Sequence, residues 1–372
     1  MKMVVMITMF RTVNYGSILQ TYSLQKKIEA LGYRCQVVNY ARQMGKYLHR
    51  FTMRGFFQAI INYVVYWRRD REYARFVRER LNLTREYWTP EELAANPPAA
   101  DVYVTGSDQT FNSAIDSWDT SYMLDFVPRE NRVKVRKIAY AASSATCVVD
   151  KKWKDAIPVL LRDYDALSTR EECGLKMIEA ITGRMDAQWC CDPTMLFDCQ
   201  EWKKFARKPR FLRDKPYILV YLLSYAVNPY PEADRLVREA QDVMGCRVVY
   251  LQGRKQDFFK PNSRLVKNVS PYEFVYLFLH AEMIFTSSFH GAAFSVQSGR
   301  PFLAFVSGDE TADSRVLSLL RKVGAERNAV EVPVADAVHF ESLTRWRPAN
   351  DVGRLLTEFR EMSFAWLKES LT

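Results

Sequence analysis

One of the chain's four histidines, His290, stands in the stretch TSSFHGAAF, residues 286–294, directly after the apolar run AEMIF. An imidazole framed by Ser287, Ser288, Phe289 and Gly291 at a strand-to-helix turn can donate a proton near neutral pH or hold an anion as a cation. The plainer reading is a polar filler at the edge of a core. A second acid–base candidate is Asp108 in GSDQTFN, where the apolar VYVT ends and Gln109 follows. A carboxylate at a strand's carboxyl end can take a proton from a hydroxyl group, or only cap the next turn.

Anion binding has further candidates. Asn14-Tyr15-Gly16-Ser17 lies between the first apolar run and the first helical pattern, where unpaired N–H groups of a helix N-terminus face outward. Ordinary capping by Asn14 or Ser17 is the alternative. The stretch is neither the three-glycine dinucleotide fingerprint nor a Walker loop. Arg170 in STRE can grip a carboxylate or phosphate through a two-pronged pair, or form a weak surface pair with Glu171 or Glu172. Arg315 in DSRVL opens a helical pattern and is one more anion-binding candidate. Asp192-Pro193-Thr194 reads as a turn, since Asp before Pro initiates one.

These residues need elements to hold them. MKMVVMIT is a buried strand, ILQTYSLQKKIEALG a helix closed by Gly32, and YRCQVVNY a second strand, which together make a βαβ unit. Such a unit implies a parallel sheet with a right-handed crossover. DVYVTG and KVRKIAYAASSA add strands, and AQWCCDPTML ends the first series. The polar, basic segment 198–215 reads as a crossing between domains. A second series follows: YILVYLLSY, ADRLVREAQDVMG, CRVVYLQG, PYEFVYLFLHAE, MIFTSS, HGAAFSVQSG, FLAFVSG and DSRVLSLLRKVG. Ser270 with Glu273 is a capping-box pair.

The expected architecture is α/β, with two Rossmann-type doubly wound parallel-sheet domains facing a central cleft. The domains span 1–205, with a basic helical insertion at about 45–95, and 212–345. An amphipathic helix at 350–372 packs back across the junction. Ligands bind at strand carboxyl ends near the switch point of such sheets, which selects the loops carrying the residues named above.

A hydrophobic content of 48% and an aromatic content of 13% belong to a well-packed globular protein. Seven irregularly spaced cysteines fit reduced thiols in a cytoplasmic protein, and their spacing argues against a zinc site. No segment has the length and apolarity expected of a membrane span, and the N-terminal residues lack a signal-peptide cleavage pattern. The net charge of +10 favours an acidic partner. Much of it sits at 48–80, in Arg50, Arg54, Arg68, Arg69, Arg71, Arg75, Arg78 and Arg80 among aromatics. That segment is either a solvated amphipathic helix pair or an interfacial helix at the inner face of an anionic membrane. Signatures of nucleic-acid binding are missing.

Asn14-Tyr15-Gly16-Ser17 with Leu19-Gln20, then GSDQTFN, YAAS, STRE, DPTML, SSFHGAAF, RPF and DSR occur in that order. The series resembles the polysaccharide pyruvyl transferase family over about residues 3–325, outside the basic insertion. The resemblance implies a GT-B-like fold and transfer of the enolpyruvyl group of phosphoenolpyruvate to a sugar, with a pyruvate ketal and phosphate as products. It places the catalytic acid on His290 and a donor-binding arginine on Arg170. Asp108 is then the candidate base, and Ser288, Phe289, Gly291 and Arg315 complete the donor site. Asn14, Tyr15, Gly16, Ser17 and Gln109 form an acceptor or anion-binding loop. The implied partners are phosphoenolpyruvate as donor substrate and a glycan or lipid-linked sugar as acceptor, with no cofactor and no metal. Family members with RLHG carry an arginine where this sequence has Ser288, so the donor anion needs another cation, for which Arg315 is available. A nucleotide-sugar glycosyltransferase and a non-catalytic glycan-binding relative are the competing functions.

Overall fold

A computed structural model of the 372-residue chain describes residues 1–41, 53–128, 135–146, 148–212, 215–224, 227–307, 315–333, 340 and 343–372, and not the side chains of 53–65, 259, 343 and 344. The chain divides into two compact units. Unit 1 comprises Met1–Ile61, Ala74–Leu196 and Phe359–Thr372, and unit 2 comprises Asn62–Tyr73 and Phe197–Glu358.

Unit 1 is built on a seven-stranded parallel sheet. Its strands are β1 (Met3–Ile7), β2 (Arg34–Tyr40), β3 (Leu83–Tyr87), β4 (Val102–Thr105), β5 (Arg136–Ala142), β6 (Ala166–Thr169) and β7 (Gln188–Trp189), in the order β3-β2-β1-β4-β5-β6-β7. The helices in this part of the chain are α1 (Tyr15–Ala30), α2 (Met53–Arg80), α3 (Pro90–Ala95), α4 (Ala156–Arg162), α5 (Glu172–Thr182) and α6 (Pro193–Leu196). The central strands are continuous apolar runs because helices cover both faces of a parallel sheet. Val4, Val5, Met6 and Ile7 of β1 have no exposed surface, and Val104, Ile138 and Leu167 of the neighbouring strands are equally deep.

Unit 2 repeats the scheme with six parallel strands: β8 (Tyr217–Tyr221), β9 (Arg247–Leu251), β10 (Ser263–Val266), β11 (Met283–Thr286), β12 (Phe302–Ser307) and β13 (Ala329–Val332), in the order β10-β9-β8-β11-β12-β13. The remaining helices are α7 (Cys199–Phe205), α8 (Glu232–Met244), α9 (Pro271–Leu279), α10 (Phe289–Ser298), α11 (Arg315–Lys322), α12 (Leu343–Trp346) and α13 (Val352–Ser370). Ser270 and Glu273 form the expected capping box at the start of α9. The last twelve residues of α13, from Phe359, belong to unit 1.

Three expectations are corrected. The segment 45–95 is not a purely helical insertion, because residues 83–87 pair in parallel with β2 as the outer strand β3. Within 48–80 the described residues form one helix, α2, rather than a pair, and its C-terminal turns bury Tyr73 and Phe76. Arg50 lies outside the described residues, as does the side chain of Arg54. Segment 198–215 is not a bare linker either. Asp198 and Glu201 cap α7, and the indole of Trp202 is fully buried against Phe197, Phe205 and Phe294. The strands β3, β10 and β13 escape a sequence reading because edge strands carry polar residues on their outer side and lack a continuous apolar run.

Candidate functional site

Each unit has one point where the strand order reverses, between β1 and β4 in unit 1 and between β8 and β11 in unit 2. At such a point the loops at the carboxyl ends diverge and leave room for a ligand. The sequence-selected residues fall on these ends.

In unit 1, α1 starts with Asn14 as its cap: Asn14 Oδ1 accepts from the N–H groups of Gly16 at 2.9 Å and Ser17 at 3.3 Å. That is the capping alternative, and it releases the Ser17 hydroxyl, which donates instead to Asp108 Oδ2 across the β1–β4 junction. Tyr15 is buried to 1% exposure beside it. The other Asp108 oxygen, Oδ1, accepts from the Gln109 N–H at 2.9 Å, and the Gln109 amide oxygen accepts from Asn112 Nδ2. The backbone of Asp108 has φ +70°, in the left-handed region that non-glycine residues avoid, and Ala141 and Ala145 share that strain at +47° and +59°. The ladder overrides the preference: Asp108 bridges Ala142, and its carbonyl accepts from the Ser143 and Thr110 N–H groups. Below it, Gln20 Nε2 donates to Thr8 Oγ1, which donates to the Ser107 carbonyl at 2.7 Å.

Arg170 lies deeper than a donor-binding cation should. It is 3% exposed, and Nη1 donates to Asp192 Oδ2 at 2.8 Å while Glu171 Oε2 stands 3.9 Å from Nε. The expected surface pair is thus a buried triad, and Glu172 pairs outside with Lys176. Both carboxylates carry further loads. Glu171 Oε1 accepts from the N–H groups of Ser144 and Ala145 at 2.8 and 3.1 Å, and Asp192 Oδ1 accepts from the Thr194 N–H and hydroxyl. Ser107 Oγ donates to the Ala141 carbonyl and stands 3.3 Å from Asp192 Oδ2. The triad therefore ties together the loops that follow β4, β5, β6 and β7. With two carboxylates already meeting its charge, Arg170 fits a positioning part better than the expected donor-binding part.

In unit 2, three successive hydroxyls end β11. Thr286 Oγ1 donates to the Tyr221 carbonyl at 2.9 Å and accepts from the Ser288 N–H. Ser287 Oγ makes two bonds of 2.8 Å to the backbone of Leu223, cross-tying the ends of β8 and β11. Ser288 is the N-cap of α10, accepting from the Gly291 N–H at 3.4 Å, so its side chain shapes the turn rather than supplying the cation of the RLHG pattern. His290 sits in the first turn of α10, 7% exposed, with its ring edge-on to Phe289 at 5.3 Å. A Cβ at Gly291 would collide with the Thr286 hydroxyl, which fixes glycine there by close approach. Arg315 is half-buried at the start of α11, and residues 308–314 before it lie outside the described residues.

The sequence reading passed over Glu171 and Asp192 as functional residues. A carboxylate next to an arginine and an Asp before Pro each have a common surface explanation, and only burial distinguishes them. The one available signal was their place at the ends of successive strands. Among the described residues no group of three His, Cys, Asp or Glu side chains is spaced to hold a metal ion, and no helix is long and apolar enough to cross a membrane.

The family model for polysaccharide pyruvyl transferase matches residues 14–309. No curated protein matches the sequence at a significant level. Among solved structures the chain is similar to UDP-GlcNAc 2-epimerase from Neisseria meningitidis bound to UDP-GlcNAc, with 10% identity over 100% of this chain and 94% of that one and a TM-score of 0.51. It is similar to the UDP-GlcNAc 2-epimerase of Methanocaldococcus jannaschii at 11% identity, 97% and 92% coverage and a TM-score of 0.52. The corresponding values for Arabidopsis thaliana UGT89C1 complexed with UDP-L-rhamnose are 10%, 100%, 99% and 0.53. At such identities the likeness is one of fold: a GT-B-like pair of parallel-sheet α/β domains.

Proposed function

The chain belongs to the polysaccharide pyruvyl transferase family, and on that premise we propose that it moves the enolpyruvyl group of phosphoenolpyruvate onto two hydroxyls of a sugar. The acceptor is a surface polysaccharide or its lipid-linked precursor, and the products are a pyruvate ketal and phosphate. The observation that supports this most is the place of His290, in the first turn of a helix at a sheet switch point and inside the matched region.

In the proposed reaction His290 protonates the methylene carbon of the donor, which turns C2 into an electrophile stabilised by its attached oxygen. One sugar hydroxyl adds to C2 and gives its proton to Asp108, whose second oxygen is held by Ser17. The bond from C2 to the phosphate oxygen then breaks, and the second hydroxyl closes the ketal. Of the two hydroxyl protons, one is made good on the new methyl group and one leaves on phosphate. The N–H groups of the first turn of α10 and the Arg315 guanidinium are the proposed partners of the donor's anionic groups. Arg170, Glu171 and Asp192 position the loops around Asp108 without touching the substrate. The scheme draws on the acid and base groups of the chain and calls on no cofactor. A cytoplasmic location belongs to the same proposal and rests on the odd, irregular cysteine set.

The test is phosphate release from phosphoenolpyruvate over a panel of glycan acceptors, run beside nucleotide sugars. Acceptor-dependent phosphate release with a ketal product is the expected result. Turnover with a nucleotide sugar and none with phosphoenolpyruvate would overturn the reading.

A further inference from the structure

One face of unit 2 is strongly basic. α7 and the segment after it run along α9: Phe205 packs on Tyr272 with ring centroids 4.6 Å apart, the Arg207 N–H donates to the Tyr272 carbonyl, and the Arg207 guanidinium lies over the Tyr272 ring at 4.1 Å. Tyr272, Tyr276 and His280 follow one another at four-residue spacing, so they share one side of that helix. Tyr276 and His280 stack at 4.0 Å.

Lys203, Lys204, Arg207, Lys208 and Arg210, on α7 and the segment after it, are all exposed, and Arg300 is half-buried. Burial and the positive charges of Arg300, Lys203 and Lys208 hold the His280 pKa below its ordinary value, which marks these side chains as neighbours of one imidazole. Acidic relief is small among the described residues. Glu282 stands 3.6 Å from Arg300, and Glu201 is engaged in the α7 capping box.

His280, Glu282 and Arg300 immediately precede β11 and β12, so this end of the face is at the amino ends of the strands. His290 is at the opposite, carboxyl edge of the same sheet. The His280 end of the patch is therefore on the side of the sheet away from His290.

We propose that this basic face of unit 2 docks the protein on an anionic phospholipid bilayer. From Tyr272 to His280 the row extends about 12 Å along the helix, too far for one phosphate group to satisfy and well suited to a plane of many headgroups. The rings are covered, Tyr272 by Arg207 and Tyr276 by His280, so no bare aromatic platform is offered to nucleic-acid bases. Long basic side chains around a folded face reach headgroup phosphates by extending their charged ends outward. The proposal does not rest on the donor chemistry and stands or falls separately from it.

Co-sedimentation of the full chain with vesicles tests it. Vesicles of phosphatidylcholine containing about a third phosphatidylglycerol should bind the protein, vesicles of phosphatidylcholine alone should not, and 0.5 M salt should release it. The triple variant K203E/K204E/K208E should bind about 100-fold more weakly, as expected for several basic groups near such a surface. The variant K151E/K152E/K154E, which makes the same change in net charge on exposed lysines of unit 1, should bind as the unaltered chain does. Failure of the unaltered chain to bind anionic vesicles would overturn the proposal. Equal loss in both variants would overturn it too, because bulk charge alone would then explain the binding. Tighter binding to a 30-base-pair DNA duplex than to the vesicles would assign the face to nucleic acid and overturn it as well. Unchanged melting temperatures establish that both variants are folded.

Discussion

At the carboxyl ends of the unit 1 strands the polar groups are held by charge, through the carboxylate of Asp108 at the β1/β4 junction and the Arg170 triad beyond it. At the β8/β11 junction of unit 2 they are held by hydroxyls bonded to backbone, through Thr286, Ser287 and Ser288. The difference follows from what each loop carries. The loops around Asp108 in unit 1 hold Asp108, Ala141 and Ala145 in left-handed backbone, and a buried ionic network bonded to the neighbouring loops holds conformations that local preferences oppose. Unit 2 avoids strain at His290 by placing a glycine where the helix meets the strand and by capping the helix with Ser288. Hydroxyl ties are short and neutral, so they set geometry without adding a charge next to the imidazole.

The comparison can be broken most directly at the His290 end. His290→Ala should lower kcat by about 10³-fold, in the range for loss of a general acid, while leaving the melting temperature nearly unchanged. A large drop in melting temperature would instead make His290 a core residue. Arg170→Met should be the most destabilising change in unit 1, by about 3–5 kcal/mol in denaturant unfolding, because it leaves two buried carboxylates facing each other. A loss below about 1 kcal/mol would show that the triad is not what holds those loops. Gly291→Ala should cost about 1–3 kcal/mol by overpacking against Thr286. The double change with Thr286→Ala should recover part of that loss, and strict additivity of the two would remove the collision as its cause. Ser17→Ala should act most gently, lowering kcat about tenfold as one hydrogen bond to a charged group is lost. An unchanged kcat with a lower melting temperature would make Ser17 only a packing residue.

Most of the fold was legible in the sequence because both sheets are parallel and covered on two faces, which writes their central strands as unbroken apolar runs such as MVVMI and YILVY. The capping box at Ser270 and Glu273 was legible for the same local reason, since cap and partner are three residues apart. Strand β3 was not: its exposed Arg85 and Glu86 resemble loop residues, and only the register with β2 makes them part of a sheet. The alternatives at Asn14 and Arg170 could not be decided from local pattern either. Whether Ser17 caps α1 or serves Asp108 depends on a residue 91 positions away, and the burial of Arg170 depends on Asp192, 22 positions on.

The discontinuity of unit 1 bears on any attempt to dissect the protein. Its last piece, Phe359–Thr372, supplies the Ser363 hydroxyl to the Cys191 N–H at 2.9 Å, the Arg360 Nε to the Met195 carbonyl at 2.6 Å, and the wholly buried Leu367 and Leu371. A fragment ending at residue 196 would expose the apolar seat of that helix and leave the Cys191 amide without its bond, immediately beside Asp192 of the triad. Such a fragment should be sticky and poorly folded although it retains every strand of its sheet. A single polypeptide in which 359–372 is fused behind residue 196 through a flexible linker should restore those contacts and fold better than the fragment ending at 196.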